Sequence, residues 1–136
     1  LPAETLPKVY ADPDLCRQIF TILLDNAVSY ALTHAPEAPG APGGAGHSRK
    51  IILRAEASSS HGRPHVTVSV ADHGPGISDE EKKLIFDSFY RSDQSRNKKE
   101  HFGLGLSIAA ALAKIQGISL HVRDTDGGGT TFCVKI

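Results

Sequence analysis

Three places along this chain hold residues whose types and spacing could do chemistry. The first is Asn26. At 100° per residue it falls within about 20° of both Leu15 and Ile19, so a carboxamide sits in the middle of an apolar helical stripe. Such an amide needs a partner. Either it bonds to backbone inside a core, or the stripe lines a pocket in which the amide oxygen meets a metal or a ligand. The second place is Asp72-His73-Gly74-Pro75-Gly76-Ile77. An ionised Asp72 accepts hydrogen bonds and donates none, which suits an exocyclic amine, and Gly74 and Gly76 let backbone approach a ligand closely. A bare acid followed by two glycines also fits an ordinary turn. The third is His101-Phe102-Gly103-Leu104-Gly105-Leu106-Ser107. Unpaired N–H groups at a helix start, reached through glycine, make an anion site, although glycine before a helix also serves as a hinge. Arg91, Arg96, Lys98 and Lys99 precede it in a polar stretch, Tyr90 to Phe102, where four cations could fold over a triphosphate or simply face solvent.

The elements that must position these residues follow from local signals. Asp12-Pro13-Asp14 is a helix start, with a capping carboxylate, proline at the first helical position and acid in the first turn. The first helix is expected from Pro13 to about Thr33. Residues 35–46, APEAPGAPGGAG, contain seven Pro or Gly in twelve and predict a flexible loop. Lys50–Ala57 and Pro64–Ala71 read as paired strands joined by a turn over Ser58–Arg63, with Val66, Val68 and Val70 alternating against polar neighbours. Ser78 and Glu81 fit a capping box, predicting a short helix to about Phe86. A third helix starts near Gly105 and stops at Gly117; strands Ile118–Arg123 and Thr130–Ile136 close the chain. Phe86 and Phe89, three apart, read as packing residues. The order predicts an α+β fold in two layers, with helices on one face of a mainly antiparallel sheet.

Composition narrows the functions. The 136 residues are 40% hydrophobic and 22% charged, which fits one soluble globular domain. Fifteen Lys plus Arg balance fifteen Asp plus Glu, so no overall field would draw in nucleic acid or an anionic membrane. The longest nearly apolar stretch, Ile19–Leu24, is far too short to span a bilayer. Two cysteines, Cys16 and Cys133, show neither zinc spacing nor a disulfide framework and read as reduced. The start at Leu1 is expected of a domain excised from a longer protein.

Taken in order, these stretches resemble the catalytic and ATP-binding domain of sensor histidine kinases, in the superfamily that also holds gyrase, Hsp90 and MutL. RQIFTILLDNAVSYA is similar to the N box, ADHGPGIS to the G1 box, IFDSFYRSD to the F box and HFGLGLSIA to the G2 box, with GGGTTF near the end. The resemblance covers practically the whole chain. It implies the Bergerat fold, a two-layer α/β sandwich with a mixed, mainly antiparallel sheet and three helices on one face, with residues 91–103 as a lid over ATP. It also implies roles: Asn26 on Mg²⁺, Asp72 on the adenine amino group, Gly74 and Gly76 at the adenine end, and Ile77 and Leu104 near the base. Tyr30 would lie by the phosphates or ribose and Arg91 at the γ-phosphate, while Lys98, a lid cation, would be among the nucleotide-binding residues. Gly103, Gly105 and the following amide of Leu106 would wrap the phosphate chain.

The resemblance further implies a transfer of the γ-phosphoryl group to a histidine on a separate dimeric helical domain, with a response regulator downstream. The parent would be anchored in the cell membrane and this domain would be cytoplasmic. The chain departs from the family pattern at Ile22, where a second Asn is usual, at Ser29, where Lys or Arg is usual, and at His101, where Gly is common. Ile22 cannot take a proton, whereas gyrase-type ATPases place a Glu there as general base, so transfer is expected over hydrolysis. A nucleotide-binding module without catalysis and a serine kinase of the anti-sigma-factor type are the alternatives.

Overall fold

The computed structural model describes residues 6–33, 50–87 and 105–136, the side chains of 30–33 excepted. The predicted loop at 35–46, the lid at 91–103 with Arg91, Arg96, Lys98, Lys99, His101 and Gly103, and also Phe89, Leu104 and the side chain of Tyr30, lie outside the described residues.

Helix α1 spans Pro13–Thr33. Asp12 caps it as expected: its Oδ1 accepts from the N–H of Asp14 at 2.9 Å and of Leu15 at 3.1 Å. Strands β1 (Ile52–Ser60) and β2 (Arg63–Ala71) form a hairpin, followed by the single turn of α2 (Asp79–Lys82), then α3 (Gly105–Ile115), β3 (Ser119–Asp124) and β4 (Thr130–Lys135). The four strands pair antiparallel in the order β1-β2-β4-β3. Helices α1 and α3 pack against each other and lie over one face of the sheet. The core between the layers joins Ile19, Leu23 and Ala27 of α1, Ala109 and Ala113 of α3, and Val70, Phe132 and Val134 of the sheet. The expected α+β two-layer sandwich is the observed architecture.

Strand bounds shift by a residue or two from the sequence expectation, and two boundaries differ by more. The β1–β2 turn occupies only His61 and Gly62, with φ of 52° and 75°, instead of Ser58–Arg63. Positive φ at both central residues belongs to the tight hairpin turn whose twist matches the flanking strands, and it lets Ser58–Ser60 continue the ladder. The second helix, expected to about Phe86, ends at Lys82. The Ser78–Glu81 capping box forms, but beyond Lys82 the backbone tightens: Lys83 N–H bonds to Glu80 O and Leu84 N–H to Glu81 O, three residues back. The non-helical turns bring Phe86 onto Phe132, ring centroids 6.2 Å apart and edge to face, which is the packing role expected of it.

Candidate nucleotide-binding site

Asp72 follows the last residue of β2 and is 2% exposed. Its Oδ1 accepts two backbone hydrogen bonds, from Gly74 N–H at 3.0 Å and from Thr130 N–H at 3.1 Å. Its own N–H donates to Thr130 O at 2.9 Å. The carboxylate is thus fixed by the turn that follows it and by the first residue of the neighbouring strand. A buried charge is tolerated only when it is held this way.

Gly129 makes the arrangement possible. It lies at φ 118°, a conformation side chains avoid, and a β-carbon there would come to 2.8 Å from both the carbonyl carbon of Asp72 and Cα of His73. Gly76 stands on the other side of the same backbone, with Gly129 O 3.5 Å from where its β-carbon would be. Two chain segments far apart in sequence, 72–76 and 129–130, therefore meet backbone to backbone around one carboxylate. Ile77, expected near a bound base, is 9% exposed and joins the core cluster.

Asn26 is half-buried on α1, and its Nδ2 is buried with no partner among the described residues. Of the two readings open from the sequence, a core amide satisfied by backbone does not describe this nitrogen. Leaving such a group unpaired costs about 1–3 kcal/mol, so a ligand or water at this position has a defined task. The terminal torsion of the amide can present either the nitrogen to an acceptor or the oxygen to a cation. Among the described residues no group of three or more His, Cys, Asp or Glu could hold a metal. A single amide oxygen fits an ion such as Mg²⁺, which keeps waters and takes most of its remaining ligands from phosphates.

Gly105 begins α3, and a β-carbon on it would lie 3.4 Å from Cγ2 of Ile22. The first turn of α3 thus stands beside an apolar side chain of α1. Leu106 is half-buried against the core.

Several contacts had only weak sequence signals. Lys82 Nζ reaches Asp79 Oδ1 and Asp124 Oδ1, each at 2.8 Å, and ties α2 to the end of β3. The hydrogen bond to Asp124 leads in holding its ammonium above the ordinary 10.5, and the bond from Lys82 holds the Asp79 carboxyl below 3.8. Thr125 and Thr131 share a 2.8 Å hydroxyl bond that closes the β3–β4 connection. Burial pushes the Cys16 thiol above its ordinary 9.0. Gly129 and Thr130 were legible only as part of the GGGTTF run, which gave no hint that they hold Asp72.

A buried carboxylate thus follows β2, and a glycine opens α3 against α1, the helix that carries the unsatisfied amide. Residues 11–136 match the family described as Histidine kinase-, DNA gyrase B-, and HSP90-like ATPase, and the chain belongs to it. The sensor histidine kinase YkoH of Bacillus subtilis (strain 168) is 39% identical over 128 residues, covering 93% of this chain and 24% of that protein. The signal transduction histidine-protein kinase ArlS of Staphylococcus aureus (strain USA300) is 31% identical over 121 residues, covering 88% of this chain and 23% of that one. The chain thus spans about a quarter of the length of the curated relatives it matches. Among solved structures, full-length ShkA in complex with AMPPNP superposes with a TM-score of 0.65 at 28% identity, over 96% of this chain and 23% of that one. The mycobacterial sensor histidine kinase MprB shares the fold, with a TM-score of 0.64 at 23% identity over 94% of this chain and 73% of that one.

Proposed function

We propose that this chain is the ATP-binding catalytic domain of a sensor histidine kinase. The observation that carries the reading is Asp72, a buried carboxylate fixed by Gly74 and Thr130 in a chain of this family. An acceptor-only group in that place selects the amino edge of adenine and repels the carbonyl edge of guanine. Gly105 and the N–H of Leu106 at the start of α3 would hold the phosphates, and the amide oxygen of Asn26 would hold Mg²⁺. Bound Mg²⁺ neutralises phosphate charge. Gly103, Leu104, Tyr30, Arg91 and Lys98 complete the set, Arg91 at the γ-phosphate.

The contact between Ile22 and the start of α3 favours transfer over hydrolysis. An apolar group beside the phosphate end offers no base to activate water, so the γ-phosphoryl group survives until a better nucleophile arrives. That nucleophile is a histidine on a separate dimeric helical domain of the same protein, and a response regulator receives the group next. The parent is anchored in the cell membrane and this domain faces the cytoplasm. Among the described residues no helix is long and apolar enough to cross a membrane.

The test is the melting temperature with ADP, ATP and GTP, each with Mg²⁺ and with EDTA. Ligand at a hundred times its dissociation constant adds about 2.7 kcal/mol, a shift of several degrees. An adenine-specific rise is expected. Equal shifts with GTP, or none with any nucleotide, would overturn the reading.

A further inference from the structure

The opposite end of the sheet carries a second concave site. A cleft of about 570 Å³ opens where the β1–β2 turn meets the start of β3 and the end of β4. Its walls are Ser60, His61, Arg63 and His65 from the hairpin, Gly117 and Ser119 from the α3–β3 junction, and Lys135. Strand register explains the grouping: Arg63 pairs with Ser60, and Lys135 pairs with Ser119 on one side and with Thr67 on the other. Side chains two apart share a face, so Arg63, His65, Lys135 and Ser119 all lie on the face of the sheet turned away from α1 and α3.

The charge of this cleft is one-signed. Two permanent cations and two histidines line it with two serine hydroxyls, and no Asp or Glu side chain does. The ion pairs among the described residues engage Arg17, Arg54 and Lys82, and neither Arg63 nor Lys135 takes part in one. His65 is anchored through Nδ1 to Ile136 O at 3.2 Å, which fixes its ring at the cleft wall. In a chain with no net charge, this concentration of unpaired positive charge around one cavity is local.

We propose that this cleft is a second anion site, which takes a small ligand bearing a phosphoryl or pyrophosphoryl group. A guanidinium fork, an ammonium and hydroxyl donors around one hollow match an oligoanion better than a single carboxylate. The cleft is separate from the Asp72 site: six residues of β2, Val66–Ala71, lie between His65 and Asp72, about 23 Å of extended chain.

The experiment is a titration of the isotopically labelled 136-residue chain with sodium pyrophosphate, followed through backbone amide NMR shifts, in the wild type and in Arg63→Gln and Lys135→Gln. Shifts at residues 60–65, 117–119 and 135 are expected, with affinity falling roughly tenfold in each variant as one charge-assisted contact is lost. Melting temperatures of the two variants separate lost binding from lost folding. Shifts confined to 72–76 and 105–107, equal affinity in both folded variants, or no shift at any residue would overturn the proposal. A parallel ADP titration reports on the nucleotide reading independently.

Discussion

Gly129 lies against the backbone of Asp72 so closely that a β-carbon on it would overlap the Asp72 carbonyl oxygen. The obstruction is backbone, which cannot swing aside as a side chain can. Gly129→Ala must therefore push β4 away from Asp72 or abandon a φ of 118°, and the conformational cost alone is about 1–3 kcal/mol. Because Thr130 N–H holds the Asp72 carboxylate, the same displacement loosens the proposed adenine contact. The variant is expected to melt several degrees lower and to lose ADP affinity beyond what partial unfolding explains. Calorimetric titration well below its melting temperature checks this. Wild-type affinity would show that the Thr130 bond is not needed to orient Asp72.

Asp72→Asn separates the two tasks of the carboxylate. Its remaining oxygen still accepts from Gly74 and Thr130, so the fold is expected to lose only about 0.5–1.5 kcal/mol. Its amide nitrogen is a donor, which meets the adenine amino group as donor against donor. The melting rise with ADP is expected to vanish in a protein that is otherwise folded. Asp72→Ala is expected to cost more stability, because it strands two buried N–H groups.

The contrast between these two sites shows how much was legible beforehand. Asp12-Pro13-Asp14, the Ser78–Glu81 capping box and the alternating valines of β2 carry their structural meaning within a few residues, and each formed as read. Asp72 was legible as an acid at a strand end. Its holders were not, because Thr130 is 58 residues away and nothing local announces that pairing. The same holds for Lys82 and Asp124, which only the sheet order brings together. The two-residue turn at His61-Gly62 escaped for a different reason: His-Gly is not one of the pairs that usually mark such a turn, and polar serines disguised the end of β1 as loop.

Gly105→Ala tests the phosphate end. A methyl group there would meet Ile22 Cγ2 at 3.4 Å, an ordinary van der Waals contact. Alanine also favours helix over glycine by up to about 1 kcal/mol, so melting temperature is expected to hold or rise slightly. The methyl group stands where phosphate oxygens would approach the first amides of α3. Weaker ATP binding with unimpaired stability is the expected pair of results, read by melting and by titration. Unchanged affinity would place the phosphates elsewhere.

The Lys82 bridge predicts a specific pH dependence. Asp79 titrates below its ordinary 3.8 in the folded chain, chiefly through the bond from Lys82, so its contribution is complete above about pH 4 and fades as pH falls through the lowered value. Lys82 titrates above 10.5, chiefly through Asp124, so its contribution is complete below that value and is lost as pH rises through the raised one. Lys82→Met keeps the aliphatic stem and removes the ammonium; 16% of the Lys82 side chain is exposed, while Asp79 and Asp124 face solvent. The difference in melting temperature between wild type and Lys82→Met is therefore expected to be flat from about pH 5 to about pH 9 and to shrink beyond both ends. High salt should shrink it at every pH, since both carboxylates are open to screening. A difference that persists unchanged at pH 3 would mean that Lys82 acts through its packing and not through its charge.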